Sequence, residues 1–94
     1  MKILIVDDSI TARRVAKGFF ESIGDYEIIE AQCGVSALDI IKQSSDIDLL
    51  FTDIKMPNMD GLELAKILKE SEDLSHINII FMTTEAKKNT SRKL

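Results

Sequence analysis

A doubly wound α/β domain, with helices on both faces of a parallel sheet, is the architecture expected of this 94-residue chain. Two observations carry that expectation. Four short apolar runs (residues 2–6, 26–31, 48–53 and 78–82) are separated by stretches whose apolar residues recur at helical spacing. Strand–helix alternation of this kind builds parallel sheets through right-handed crossovers. In addition, the first and third runs both end on acids, Asp7-Asp8 and Asp53.

The elements follow in order. Lys-Ile-Leu-Ile-Val (2–6) is a continuous, β-branched run, which suits a strand buried on both faces. A helix is expected over about residues 10–23, with Val15, Ala16, Phe19, Phe20 and Ile23 forming one apolar stripe. Ser9 or Thr11 would cap its start and Gly24 would stop it. Residues 26–31 read as the second strand, and Val35, Leu38 and Ile41 mark the second helix. Residues 48–53 form the third strand. Lys-Met-Pro-Asn-Met-Asp-Gly (55–61) is a loop, because Pro57 and Gly61 both punctuate it. Leu62, Ala65 and Leu68 set up the third helix, and residues 78–82 give a fourth strand that leads into Thr83-Thr84. Residues 86–94 could begin a fourth helix. There is no internal repeat, linker or low-complexity segment, so one domain is expected.

Composition narrows the function. A chain that is 45% hydrophobic and 30% charged, with one Pro and four Gly, is neither a disordered tail nor a collagen-like or mucin-like repeat. No apolar run approaches the ~20 residues that span a bilayer. The start is a short apolar stretch cut off by two acids, unlike a secretory signal, so a cytoplasmic location is expected. The single Cys33 agrees with a reducing compartment. Residues 1–84 hold 15 acids and 8 bases, whereas residues 85–94 hold one acid and four bases. An acidic body argues against direct nucleic-acid binding, which usually needs a basic face. The basic tail reads as a solvated helix fragment.

The candidate site comes from the strand ends. Ligands of an open parallel sheet gather outside the carboxyl ends of its strands. That rule converges Asp7 and Asp8 from the first strand, Asp53 from the third and Thr83 from the fourth. Any one acid there says little, because strands end at water. Three carboxylates in one crevice, however, call for a cation, and Mg²⁺ is the usual choice where phosphate is also handled. A carboxylate beside Mg²⁺ is also a competent nucleophile toward phosphorus. Phosphoryl transfer then needs mainly positioning and charge neutralisation.

Three segments carry a family resemblance: Ile-Leu-Ile-Val-Asp-Asp-Ser (3–9), Asp-Ile-Lys-Met-Pro-Asn-Met-Asp-Gly (53–61) and Met-Thr-Thr-Glu-Ala-Lys-Lys (82–88). With them the chain resembles the response-regulator receiver domains of two-component signalling, most nearly the single-domain chemotaxis regulators of the CheY type. The resemblance implies a flavodoxin-like sheet with strand order 2-1-3-4-5. It makes Asp53 the phosphoryl acceptor. Asp8 would bind Mg²⁺ directly, Asp7 largely through water, and the backbone carbonyl of Lys55 would be a further ligand. Thr83 would contact the phosphoryl group and act as the switch, and Glu85 would lie where the family varies residues near attacking water. A histidine kinase would be the phosphodonor. The effector would be a flagellar switch component or an output domain. The family's fifth strand, with its phosphoryl-contacting Lys and switch aromatic, and its last helix have no counterpart here. Residues 1–94 are therefore expected to be a receiver domain incomplete at its C-terminus, with an exposed fourth-strand edge through which a homodimer could form. Part of the first helix (Val15, Phe19, Phe20) is expected to be uncovered.

Other residues are read structurally. His76 falls in a turn with no second ligand at metal spacing, and Cys33 reads as a small buried hydrophobe. Arg13 and Arg14 read as the solvated face of the first helix, and Met56 and Met59 as loop packing. The leading function is a phospho-acceptor switch, not a turnover enzyme. Two alternatives stay open. One is a pseudo-receiver acting through its dimer interface. The other is an aspartyl-nucleophile phosphatase of haloacid-dehalogenase type, although that family places a second acid two residues after the nucleophile and Ile54-Lys55 stand here.

Overall fold

The computed structural model describes residues 1–44 and 46–82. Seven elements alternate: β1 (Lys2–Val6), α1 (Ile10–Ile23), β2 (Glu27–Ala31), α2 (Gly34–Gln43), β3 (Leu49–Asp53), α3 (Gly61–Glu70) and β4 (Asn78–Met82). The strands form one parallel sheet in the order β2-β1-β3-β4. The four expected strands and the first three helices are present, with strand limits within one residue of those read from the sequence. The fourth helix expected in 86–94 lies outside the described residues.

β1 is the strand buried on both faces, with Ile3, Leu4, Ile5 and Val6 all fully covered. Alternation sends Leu4 and Val6 to the side of α2 and α3, where they meet Ile41, Leu50, Leu64 and Leu68. Ile3 and Ile5 turn to the opposite face, against Ala16 and Phe20 of α1. Phe20 is held edge-on against Phe51 and Tyr26, with ring centroids 5.3 and 6.4 Å apart. β2 and β4 are less buried, as befits the outer strands of the described sheet.

Helix faces differ from the expected stripes. In α1 only Ala16 and Phe20 are buried, whereas Val15 and Phe19 are 69% and 58% exposed and Ile23 is exposed too. Val15 and Phe19 are uncovered, as expected, whereas Phe20, expected to be uncovered with them, is buried: the helix rests on the sheet along the line through Ala16 and Phe20, and the flanking residues overhang it. α2 buries Ala37 and Ile41 but leaves Val35 exposed, and α3 buries Leu64 and Leu68 rather than Leu62. In both helices the buried line includes the glycine at the first position, Gly34 or Gly61, where the helix meets the loop that precedes or underlies it.

Three polar residues cap the helices. Ser9 Oγ accepts from Ala12 N at 3.2 Å, which settles the choice between Ser9 and Thr11. Asp60 caps α3 by accepting from Glu63 N at 2.8 Å. Cys33 is not the buried hydrophobe expected of it. It is half-buried and caps α2, its Sγ accepting from Ser36 N at 3.5 Å and donating to Ser36 Oγ at 3.3 Å. Hydrogen bonding to Ser36 also lowers the pKa of its thiol. Met56 is buried and Met59 packs on the same cluster, as read from the sequence, and His76 lies exposed in a turn. No helix among the described residues is long and apolar enough to cross a membrane.

Candidate functional site

The carboxyl ends of β1 and β3 are neighbours because those strands pair through Ile3–Leu49 to Val6–Thr52. One residue on, the chain delivers Asp7 and Asp8 beside Asp53. One carboxylate oxygen from each of the three lies within 4.8 Å of the others. Asp7 and Asp53 are each only 2% exposed, whereas Asp8 faces solvent. The sequence reading had placed these three acids together, and they are together.

The local chain is tightly tied. Asp7 donates its N–H to the Ala31 carbonyl at 3.2 Å, continuing the β1–β2 pairing past the strand end. Asp7 Oδ1 accepts from Ser9 N at 2.8 Å, whereas Oδ2 is buried with no hydrogen-bond partner among the described residues. Burial pushes the Asp7 carboxyl above the usual carboxylate range; the Ser9 N–H opposes that rise, while Asp53 and Asp8 add to it. At the β3 end, the buried Thr52 hydroxyl donates to the Asp53 carbonyl at 3.0 Å. Gly61 N donates to Ile54 O at 2.8 Å and ties the first turn of α3 to the chain leaving Asp53.

Energetics favour a cation in this cluster. Two like charges about 4 Å apart repel by roughly 4 kcal/mol at the dielectric typical of protein sites. A buried carboxylate oxygen without a donor adds a desolvation cost on the order of 1–3 kcal/mol or more. A hard cation would relieve both, and three oxygen donors of mixed exposure suit one that keeps several waters.

Arg13 departs from its reading as a solvated residue. Its side chain is 11% exposed, with Nη1 donating to the Asp7 carbonyl at 2.5 Å and Nε to Glu30 Oε1 at 3.2 Å. Arg14 does stand in solvent. The signal for Arg13 in the sequence was slight: a base one turn into the helix after the paired acids, with Glu30 at the end of the next strand. Thr83 and Glu85 lie outside the described residues. Lys55 is exposed two residues past the β3 end.

A parallel sheet that gathers carboxylates at the ends of its first and third strands defines a receiver-type α/β domain. The family model for the response regulator receiver domain matches residues 3–94. The chain is 41% identical over 88 residues to a chemotaxis protein CheY homolog of Campylobacter jejuni, covering 94% of this chain and 68% of that protein. It is likewise 41% identical to chemotaxis protein CheY-3 of Vibrio cholerae, covering 94% and 67%. The structure of the chemotaxis response regulator CheY4 of Vibrio cholerae superposes with a TM-score of 0.79 at 30% identity, covering 98% of this chain and 75% of that one. This chain belongs to the response regulator receiver domain family, and its flavodoxin-like sheet is that of the CheY-like receivers.

Proposed function

We propose that the chain is a phospho-acceptor switch. Asp53 takes a phosphoryl group from a phosphohistidine of a histidine kinase, and the altered surface is then read by an effector. The observation that carries this reading is the convergence of Asp7, Asp8 and Asp53, two of them buried and one with an oxygen that has no hydrogen-bond partner among the described residues. In the transfer, an Asp53 carboxylate oxygen attacks phosphorus, the phosphorus–nitrogen bond breaks, and the imidazole leaves with the electron pair and takes up a proton. Asp7, Asp8, Asp53 and the Lys55 carbonyl would hold Mg²⁺, which when bound offsets the charge of the acids and of the phosphoryl group. Thr83 donates its hydroxyl to a phosphoryl oxygen, and the pull on the chain after β4 biases a two-state surface. The domain catalyses its own gain and loss of the group and turns over no external substrate. The setting is chemotaxis in the cytoplasm, with a flagellar switch component or an output domain as listener.

Intact mass after treatment with an acyl-phosphate donor tests this. With Mg²⁺ present, one phosphoryl group should be added per chain, and Asp53→Asn should add none. Labelling retained in that variant would reject the acceptor assignment. Multiple turnover of a phosphomonoester would favour the phosphatase reading instead.

A second reading, association as the main function, is favoured by one feature. Val15 and Phe19 of α1, with Phe51 and Met82 of the sheet, line an open apolar groove, and the exposed Ile80 is the strand partner of Phe51. A second copy packed there along β4 is the occupant this reading names. Light scattering on the purified chain tests it, and a monomer at all concentrations would reject it.

A further inference from the structure

Asp7 offers four hydrogen-bonding groups, and three of them are held. Its N–H goes to Ala31 O, its Oδ1 takes the Ser9 N–H, and its carbonyl takes Arg13 Nη1. Among the described residues only Oδ2 is left over, and Asp7 offers one carboxylate oxygen to the acidic cluster. The Asp7 carbonyl is also half of the peptide plane that joins Asp7 to Asp8. That plane sets the direction in which Asp8 leaves the strand, so the Arg13 hydrogen bond to it bears on the placement of both acids.

Arg13 is built to hold that plane. Helical side chains lean toward the N-terminus of their helix, which carries Arg13 back over the end of β1. Its guanidinium is forked between the Asp7 carbonyl and Glu30 of β2, and the other oxygen of Glu30 lies 3.9 Å from Lys17 Nζ. Three elements (β1, α1 and β2) therefore meet in one side chain. The planar fork is what reaches both acceptors; an ammonium group on a flexible stem has no equivalent geometry. The Glu30 carboxylate offsets the Arg13 charge, so the contribution of Arg13 to the site is geometric.

We propose that Arg13 is a positioning residue for the metal site formed by Asp7, Asp8 and Asp53, acting through the Asp7 carbonyl and braced by Glu30. The inference rests on the metal reading given above and adds a residue to it. Groups that orient metal ligands typically change affinity by 10–100-fold when removed.

The test is calorimetric titration of Mg²⁺ into the full chain at constant ionic strength, with denaturant unfolding of the metal-free proteins alongside. Both Arg13→Gln and Arg13→Lys should bind Mg²⁺ about tenfold or more weakly. Glu30→Gln, which leaves Arg13 in place but unbraced, should also weaken binding, and Lys17→Ala should not. A purely electrostatic role predicts the opposite pattern, because removing a nearby cation in Arg13→Gln should tighten Mg²⁺ binding and Arg13→Lys should leave it unchanged. Either that pattern or variants that lose stability but bind Mg²⁺ like the wild type would overturn the proposal. Absence of Mg²⁺ binding by the wild-type chain would instead remove the metal reading itself, a result distinct from equal binding by wild type and variants. Should Arg13→Gln not fold, Arg13→Lys and Glu30→Gln decide the matter.

Discussion

Gly61 sits against Asp53 so closely that a β-carbon at position 61 would overlap the Asp53 carbonyl oxygen and come within 3.1 Å of Ile54 Cα. The first residue of α3 thus packs on the backbone of the acceptor candidate, with its N–H bonded to Ile54 O. Its φ is not positive, so the requirement for glycine is one of space. Backbone cannot yield as a side chain can. Gly61→Ala should therefore cost about 1–3 kcal/mol and shift the end of β3, lowering Mg²⁺ affinity as well. Denaturant unfolding and Mg²⁺ titration check both effects. Wild-type values in each would show that α3 moves freely relative to Asp53.

Phe20 and Phe19 are adjacent in sequence and opposite in consequence. Phe20 is 7% exposed and touches Phe51 and Tyr26 edge-on, so Phe20→Ala should cost about 3–5 kcal/mol. Phe19→Ala loses an edge-on contact with Phe20 at 5.4 Å and little burial, so it should cost the isolated chain only about 0.5–1.5 kcal/mol. Chemical denaturation at low protein concentration separates them. A large loss for Phe19→Ala that grows with protein concentration would instead place a second copy on this face.

That pair also marks where reading the sequence stopped being sufficient. Runs such as residues 2–6 announce a strand because continuous β-branched apolar residues fit a two-sided sheet, and the acids at the strand ends followed from parallel topology alone. The sequence pattern of α1 admits Val15, Ala16, Phe19, Phe20 and Ile23 equally. Only the seating of the helix on Ile3 and Ile5 picks out Ala16 and Phe20. Arg13 was illegible for a related reason: beside Arg14 it looks solvated, and its acceptors, a strand-end carbonyl and Glu30, become neighbours only once β1 and β2 pair. Cys33 and Asp60 were passed over as caps because their role depends on where the helix begins.

Asp8 is the exposed member of the acidic cluster, so its removal should separate binding from stability. Asp8→Ala loses one carboxylate from the cation set while burying nothing new. Mg²⁺ affinity should fall about tenfold or more, while metal-free stability at neutral pH should hold or rise, because the change also removes a charge that works against Asp7. Titration calorimetry paired with unfolding curves measures both. Unchanged affinity would move the cation elsewhere.

At Asp7, the buried member, stability itself should depend on pH and on the cation. Burial, and the two neighbouring acids, raise its native pKa above the ordinary value of 3.8. An acid whose pKa is raised by folding binds more protons in the native state than in the unfolded one. Its ionisation therefore lowers stability as the pH rises from near 3.8 through the higher native value, and the full penalty is present above that value. Asn keeps an oxygen for the Ser9 N–H and supplies an amide N–H toward the neighbouring carboxylates. Metal-free Asp7→Asn should thus be more stable than the wild type at neutral pH, and the advantage should vanish below pH 3.8. Added Mg²⁺ should reverse the order at neutral pH, since only the wild type gains from binding it. Thermal melts in chelator and in Mg²⁺, each across a pH series, measure this. A metal-free Asp7→Asn variant that is less stable at neutral pH would mean that the Asp7 carboxylate is compensated within the protein itself, with no cation required.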